Sequence, residues 1–313
     1  MKRWGRENAV KSEYANIATA FDLIAQDYAV VYGPQGNASM AWMRRENLEL
    51  LRSLFPPGSR LLEIGCGTGE EAVALALAGY TVLATDISPS MAAMTRARGV
   101  QAGVETRVQA VALPAGLIGA LRPSQPFDGA YASFGALNCE PALSAVGAAL
   151  GQLIRPQGMF ITSIMGRVCL FEIVWYLLHL HPRRAFRRFR AGWQPAPIAG
   201  QDGRQVDIPT RYLTIRQLTA AFPAFRLERI IALPLFLPPP YAASLLERYP
   251  HFFRRIEWAE RRLREKPPWR ALGDHTVLVL RRAGAAPRRC CAAPVPRRAG
   301  AAPHIAVRQN DLP

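Results

Sequence analysis

Three glycines at alternate positions, Gly65, Gly67 and Gly69, close the apolar run LLEIGCGTG of residues 61–69, and Glu70, Glu71 and a stretch of small apolar residues follow at once. An apolar segment, a tight turn and a helix start are written there in sequence. Backbone without Cβ atoms turns sharply and lets a ligand lie against it, while the first amides of the helix are left unpaired. Many such turns merely pack a strand against a helix, so the spacing has to discriminate. A dinucleotide fingerprint would need glycine at position 70, and Glu70 stands there. A carboxylate at that point suits the helix dipole but opposes a pyrophosphate, which favours a nucleotide-like ligand without phosphates. Asp86, at the end of YTVLATD, is placed to accept hydrogen bonds from a ribose diol. Its structural alternative is an Asx cap ahead of Ser88 and Pro89.

The elements that must hold these residues follow from periodicity. Residues 60–64 and 80–85 read as strands, with Ser88 and Pro89 opening a helix that Gly99 is placed to end. Further strands are expected within 106–112, at 127–133 and at 158–164, with a helix from Pro141 to Ile154. Strand and helix alternate over residues 60–164, the pattern of an α/β, doubly wound, mostly parallel sheet with helices on both faces. Ahead of it, residues before about 16 are polar and expected to fray. Helices are expected from about residue 18, with Phe21, Ile24, Ala25 and Tyr28 in phase, and over 38–54.

After residue 164 the pattern changes. VCLFEIVWYLLHLH, residues 168–181, is apolar on nearly every face and runs into an arginine-rich stretch, PRRAFRRFR, at 182–190. The preferred reading is a helical cap over the open end of the sheet. A membrane-surface helix, with Trp175, Tyr176 and Phe186 at the interface and arginines on headgroups, is the alternative. Sheet pattern resumes with a helix over 214–222 capped by Thr214, a strand over 225–232, a proline-rich excursion LPLFLPPPY, a charged helix over 257–264 and a last strand, HTVLVLRR, over 275–282. The division expected is helices over 16–57, a core over 58–164, the cap over 165–212, completion of the core over 213–282, and a disordered Arg/Ala/Pro-rich tail over 283–313.

Composition bounds the rest. The chain has 313 residues, half of them hydrophobic, and a formal net charge of +16, which suggests acidic partners such as nucleic acid or anionic membrane. Five cysteines without a C-x-x-C pair or neighbouring histidines give no basis for a disulfide framework or a metal site. The start, MKRWGRENAVKSEYA, lacks the apolar centre of a signal peptide, so a cytoplasmic protein is expected.

In combination, E-x-G-x-G-x-G (Glu63, Gly65, Gly67, Gly69), Asp86, FDGAYASFGALN and LIRPQGMFITSI resemble the successive motifs of class I S-adenosylmethionine-dependent methyltransferases, particularly the small-molecule, ubiquinone-biosynthesis type. AFDLIAQDY resembles the leading F-D-x-x-A-x-x-Y segment of that group. The resemblance implies a seven-stranded Rossmann-like sheet and S-adenosylmethionine as cofactor. Gly65, Gly67 and Gly69 would lie against its methionine part, with Glu63 helping to hold the amino group. Asp86 would take the ribose hydroxyls, Ile87 would pack on adenine, Ser133 would lie near the methionine end, and Tyr28 would close over the cofactor. Relatives often carry an acidic residue after the third strand to accept the adenine amino group; Val111 and Ala112 stand here and cannot.

Methyl transfer from an activated donor asks mainly for alignment and exclusion of water. Tyr28, Tyr131 and Phe134 offer aromatic faces for positive charge, and His179, His181, Asn138 and Cys139 are weak candidates to face an acceptor. The apolar cap points to a hydrophobic small-molecule acceptor, with peripheral membrane contact as a further expectation. The turn after the fourth strand is FGALN, without the N-P-P-Y-like grip of base-modifying enzymes, which speaks against nucleic acid. A nicotinamide-dependent oxidoreductase and a non-catalytic basic membrane- or RNA-associated protein remain as alternatives, the first opposed by Glu70.

Overall fold

The protein is described by a computed structural model covering residues 2–33, 36–199 and 205–284, with side chains described from residue 10 and Ala199 given as backbone. The proposed tail lies outside the described residues, apart from residues 283 and 284.

In chain order the elements are α1 (Lys2–Val31), α2 (Ala38–Leu54), β1 (Arg60–Ile64), α3 (Glu70–Leu77), β2 (Thr81–Asp86), α4 (Pro89–Gln101), β3 (Val108–Ala112), β4 (Phe127–Ala132), α5 (Leu143–Leu153), β5 (Ile154–Met165), α6 (Leu170–Leu178), α7 (Pro182–Ala185), β6 (Gln194–Ala199), β7 (Gln205–Thr210), α8 (Ile215–Ala221), β8 (Phe225–Leu233), α9 (Ser244–Arg248), α10 (Pro250–Leu263) and β9 (His275–Arg282). Seven strands form one sheet in the order β3-β2-β1-β4-β5-β9-β8. β9 runs antiparallel to both its neighbours, and the other pairings are parallel. The strand order reverses between β1 and β4, and open parallel sheets bind ligands beyond the carboxyl ends of strands at such a reversal.

Both faces of this sheet are buried, and strand alternation sorts the core. Leu61, Tyr131, Ile161 and Val279 join Met43, Leu51 and Leu75 on one side. Leu62, Ala130, Phe160 and Leu278 join Leu150, Leu153 and Phe222 on the other. Asp128 ties the sheet's lower edge by accepting from the Arg60 amide at 2.8 Å and the Arg155 side chain at 2.8 Å.

Several local expectations change. α1 begins at Lys2 and runs 30 residues, so the polar start continues the helix. α4 passes through Gly99 to Gln101, because an apolar seat against Val108 accepts Gly99 within the helix, and Gly103 (φ +67°) ends the turn beyond it. The region after α7 contains a strand pair, β6–β7, where only helix was expected. Thr214 caps α8 with a reciprocal bond to Gln217, matching the sequence reading.

Residues 234–241 are pinned from two sides. The buried Glu260 carboxylate of α10 accepts the amides of Leu235, Phe236 and Leu237 at 2.6, 2.7 and 3.3 Å. At the start of α2, Asn37 donates to the Pro240 carbonyl and Ser39 to that of Pro238. A proline-rich stretch that cannot pair as a strand is thereby held in one course. It delivers Pro240 and Tyr241 to the end of the sheet.

Candidate functional site

A cavity of about 420 Å³ opens over the carboxyl ends of β1, β2, β4 and β5, within the size range of about 300–1,000 Å³ typical of small-molecule sites. Its floor is the glycine turn: Ile64, Gly65, Cys66, Gly67 and Thr68 all line it. A Cβ on Gly65 would come within 2.5 Å of the Ala136 Cβ, whereas one on Gly67 would meet nothing within 4 Å. Gly67 therefore leaves space that only the cavity uses. Gly69 serves packing instead. It does not line the cavity, and a Cβ there would stand 2.8 Å from the Thr95 side chain, so its role is to let α3 and α4 approach.

Asp86 closes one end. Its carboxylate oxygens accept the Gly67 and Ser88 amides at 2.8 and 2.9 Å, each keeping a second lone pair. Burial pushes its pKa up to about 6, against the pull of those two amides. Ile87, Met91, Leu113 and Ala115 provide apolar walls beside it. Val111 and Ala112 offer no side-chain acceptor, and neither lines the cavity.

Helix α1 forms the roof, with Tyr14, Ile17, Phe21 and Tyr28 turned into the space. Asp22 fixes it there by accepting from the Ser88 hydroxyl and the Ser90 amide at the start of α4. Hydrogen bonding holds the Asp22 carboxyl below its usual range despite partial burial. Tyr14 donates to Glu140 at 2.6 Å, securing the other end of the roof.

At the α2–α3 side the cavity meets Arg44, Glu70 and Glu71. Arg44 lies 3.1 Å from Glu71 and 3.7 Å from Glu70, yet its Nε and Nη1, Glu70 Oε1 and Glu71 Oε1 are buried without an aligned hydrogen-bond partner among the described residues. Glu63 is fully buried beneath them and does not line the cavity. Its Oε2 also lacks a partner, and burial next to Glu71 pushes its carboxyl well up. Arg44 carried no recognisable motif. Its only sequence signal was a charge within the apolar stripe of α2.

The opposite side is built by α6, α7, the β6–β7 pair and the start of β9. Tyr176, Ile198, Ile208, Tyr212 and Tyr241 line it together with Phe134, Arg187, Arg188, Asp274 and His275. Phe134 follows Ser133 at the tip of β4 with φ +50°, a conformation that costs a non-glycine residue about 1–2 kcal/mol. Its ring meets that of His275 edge-on at 6.2 Å. Ser133 lines the cavity and accepts from Asn47 at 3.0 Å.

Of the candidates for the acceptor side, three fall outside this wall. His179 and His181 are exposed on the outer surface; His179 lies against Trp175, with Nδ1 2.7 Å from that residue's carbonyl. Asn138 is completely buried and engages the Met165 and Arg211 backbones through both ends of its amide, so it braces the β5 end. Tyr131 is likewise core, while Cys139 does line the cavity. Tyr176 faces inward, as the cap reading allows, whereas the membrane-surface alternative put it at the interface. The arginine run divides: Arg187 and Arg188 turn in to Glu172 and Asp274, whereas Arg183, Arg184 and Arg190 are exposed. Histidine 275 was hidden in the sequence inside a good strand pattern. Because β9 is antiparallel, its first residue arrives at the carboxyl end of β5, opposite Met165.

Comparisons agree with this geometry. Residues 61–158 match the methyltransferase domain family. The ubiquinone biosynthesis O-methyltransferases of Xylella fastidiosa strains 9a5c and M23 are each 34% identical to the chain over 149 residues, covering 45% of this chain. The match spans 58% of the length of those curated relatives. Among solved structures, the CcbJ methyltransferase from Streptomyces caelestis superposes with a TM-score of 0.55 at 17% identity, over 85% of this chain and 99% of that one. The N-methyltransferase NodS from Bradyrhizobium japonicum WM9, solved in complex with S-adenosyl-L-homocysteine, gives 0.52 at 10% identity, over 85% and 98%. Residues 61–158 thus match a methyltransferase domain, and the seven-stranded sheet built on them has the fold of those solved methyltransferases.

Proposed function

We propose that the protein transfers a methyl group from S-adenosylmethionine to an apolar or amphipathic small molecule. The observation that carries this reading is the pairing of Arg44 and Glu71, oppositely charged, buried and incompletely hydrogen-bonded at the rim of the glycine turn. Buried polar atoms without partners are costly, and an amino-acid zwitterion would complete both: its carboxylate on Arg44 and its ammonium on Glu71. At the other end Asp86 keeps lone pairs for a ribose diol, and Ile87, Met91 and Leu113 would enclose a purine. The empty space over Gly67 lies between them. These residues fit the cofactor that the sheet implies.

When bound, that cofactor supplies a methyl group on a positively charged sulfur. The chain would orient it by the contacts above, hold the acceptor against Phe134 and exclude water with α1 and residues 234–241. Gly69 drops out as a direct contact, and the oxidoreductase alternative has no support in the site.

The hydrophobic character of the acceptor is supported by the wall of Ile198, Ile208, Tyr176 and Tyr212. Peripheral membrane contact has its own support. Leu178 and Leu180 are 75% and 87% exposed beside the exposed Arg183 and Arg184, and no helix among the described residues is long and apolar enough to cross a membrane. An apolar and basic edge of this kind suits the surface of an anionic bilayer.

Calorimetry with S-adenosylhomocysteine tests the reading. Saturable one-to-one binding is expected, weakened by about 1.5–3 kcal/mol in Asp86→Ala through loss of charged hydrogen bonds. Absence of binding by the unmodified chain would overturn it.

A further inference from the structure

We propose that His275, oriented by Asp274, is the base that takes a proton from an acceptor hydroxyl, which makes the acceptor a phenol-like alcohol methylated on oxygen. This rests on the methyltransferase reading above.

His275 and Asp274 are the first residues at the β9 end that reaches the cavity, and both line it although only 6% and 4% of their surface is exposed. The Nδ1 atom of His275 lies 3.0 Å from Asp274 Oδ2. That contact places the proton on Nδ1 and leaves Nε2 as an acceptor. Among the described residues Nε2 has no hydrogen-bond partner, in a ring packed edge-on against Phe134, directly after Ser133 at the tip of β4.

Asp274 is fixed for this task. Its other oxygen accepts from Arg188, which also donates 3.0 Å to the Asp274 carbonyl and 2.7 Å to the Glu172 carboxylate, and the Asp274 amide donates to the Pro234 carbonyl at 2.9 Å. Although burial opposes ionisation, Arg188 and His275 hold the Asp274 carboxyl well below the usual carboxylate range. An imidazole with a buried carboxylate on one nitrogen, in a residue that lines the cavity, is the arrangement of a general base. A purely structural ion pair between Arg188 and Asp274 needs no histidine. The charged and titratable groups around the Asp274–His275 pair are Cys169 at the N-cap of α6, Glu172 of α6, Arg188, Tyr212 and Tyr241, and the two carboxylates are already matched by arginines, Glu172 also by Arg187. An acceptor amine arriving protonated would add a charge to that balance; a neutral hydroxyl would not.

The step balances. As the acceptor oxygen bonds to the methyl carbon, its O–H bond breaks and the proton passes to His275 Nε2. The electron pair of the broken carbon–sulfur bond stays on sulfur. The positive charge therefore moves from sulfur to the imidazolium, where the Asp274 carboxylate stabilises it, and the proton leaves to solvent when product departs. Phenols suit this base better than aliphatic alcohols because their hydroxyl is far more acidic, and the aromatic wall of Tyr176, Tyr212 and Phe134 suits a ring.

The test uses 4-nitrophenol, whose anion absorbs in the visible, added to the full chain saturated with S-adenosylhomocysteine at a pH below the free probe's own ionisation. The expected result is that bound probe ionises at least about tenfold more readily than free probe, an effect of one pKa unit. His275→Asn should abolish that shift, and His275→Gln should keep probe binding without restoring it. S-adenosylhomocysteine affinity should stay within about twofold in both variants, which shows that they fold. Probe that fails to bind the loaded chain, or ionises equally in His275→Asn, overturns the proposal while leaving the methyltransferase reading intact. Failure of S-adenosylhomocysteine itself to bind overturns both.

Discussion

Two glycines two positions apart answer to different constraints, and that difference can be measured. A Cβ at Gly65 meets Ala136, so Gly65→Ala is expected to lower stability whether or not ligand is present. Gly67→Ala adds a methyl group into empty space at φ +53°, costing about 1–2 kcal/mol in stability from the left-handed backbone. Its main effect should be on S-adenosylhomocysteine, with affinity reduced at least about tenfold by calorimetry against a small change in Tm; a variant that binds normally would remove the turn from the site. Asp86 gives a pH signature. Its pKa near 6 lies above the 3.8 of a free side chain, so the unfolded chain releases that proton first. Without cofactor, stability from this group falls as pH rises from about 4 to about 6, by up to about 3 kcal/mol. Cofactor affinity should move the other way, strengthening as pH rises through about 6 because the ionised carboxylate is the better acceptor. Asp86→Asn should flatten that profile between pH 5 and 8. The sequence made Gly65, Gly67 and Asp86 legible because turn and strand end are local features. Arg44 and His275 were not, since each reaches the cavity only through the packing of its whole element.

At the scale of elements, the strands are legible as short apolar runs, buried on both faces and bounded by glycine and proline breaks, which is why β1 and β9 match their expected ranges, as α2 does from its helical spacing. The β6–β7 pair escaped because Pro195, Pro197 and Pro209 interrupt any strand pattern, and an isolated two-stranded ribbon tolerates proline where a central strand does not. Proline also hid the importance of residues 234–241, whose course is set by Glu260, a residue of a different helix. Glu260→Ala would leave three buried or half-buried amides without their charged acceptor, a loss of at least about 3 kcal/mol. For a chain of this size that corresponds to a Tm lower by about 5 °C. Thermal denaturation should show the drop, and binding of 4-nitrophenol to the S-adenosylhomocysteine complex should weaken further as Tyr241 loses its position. An unchanged Tm would mean that Asn37 and Ser39 hold the segment unaided.

For the molecule as a whole, the net charge of +16 has no single location. Arg288, Arg289, Arg297, Arg298 and Arg308 lie beyond the described residues, and the inward pair Arg187 and Arg188 is neutralised by Glu172 and Asp274. What remains available to an anionic surface near the cavity is Arg183, Arg184 and Arg190, set among Leu178, Leu180, Phe186 and Phe189. A competing edge lies on α10, where Phe252 and Trp258 are exposed among Arg254, Arg255 and Arg262. Each basic residue near such a surface contributes about 1 kcal/mol, and insertion of leucine adds an apolar gain that salt does not screen. Sedimentation with vesicles of mixed phosphatidylcholine and phosphatidylserine should therefore show binding that weakens but persists as salt is raised. The double variant Leu178→Glu, Leu180→Glu should reduce it about tenfold or more, with Tm and S-adenosylhomocysteine affinity unchanged because both side chains are exposed. If the double variant binds as well as the unmodified chain, and Trp258→Glu does not, the contact belongs to α10. The cavity would then open away from the membrane, and a hydrophobic acceptor would have to arrive through water.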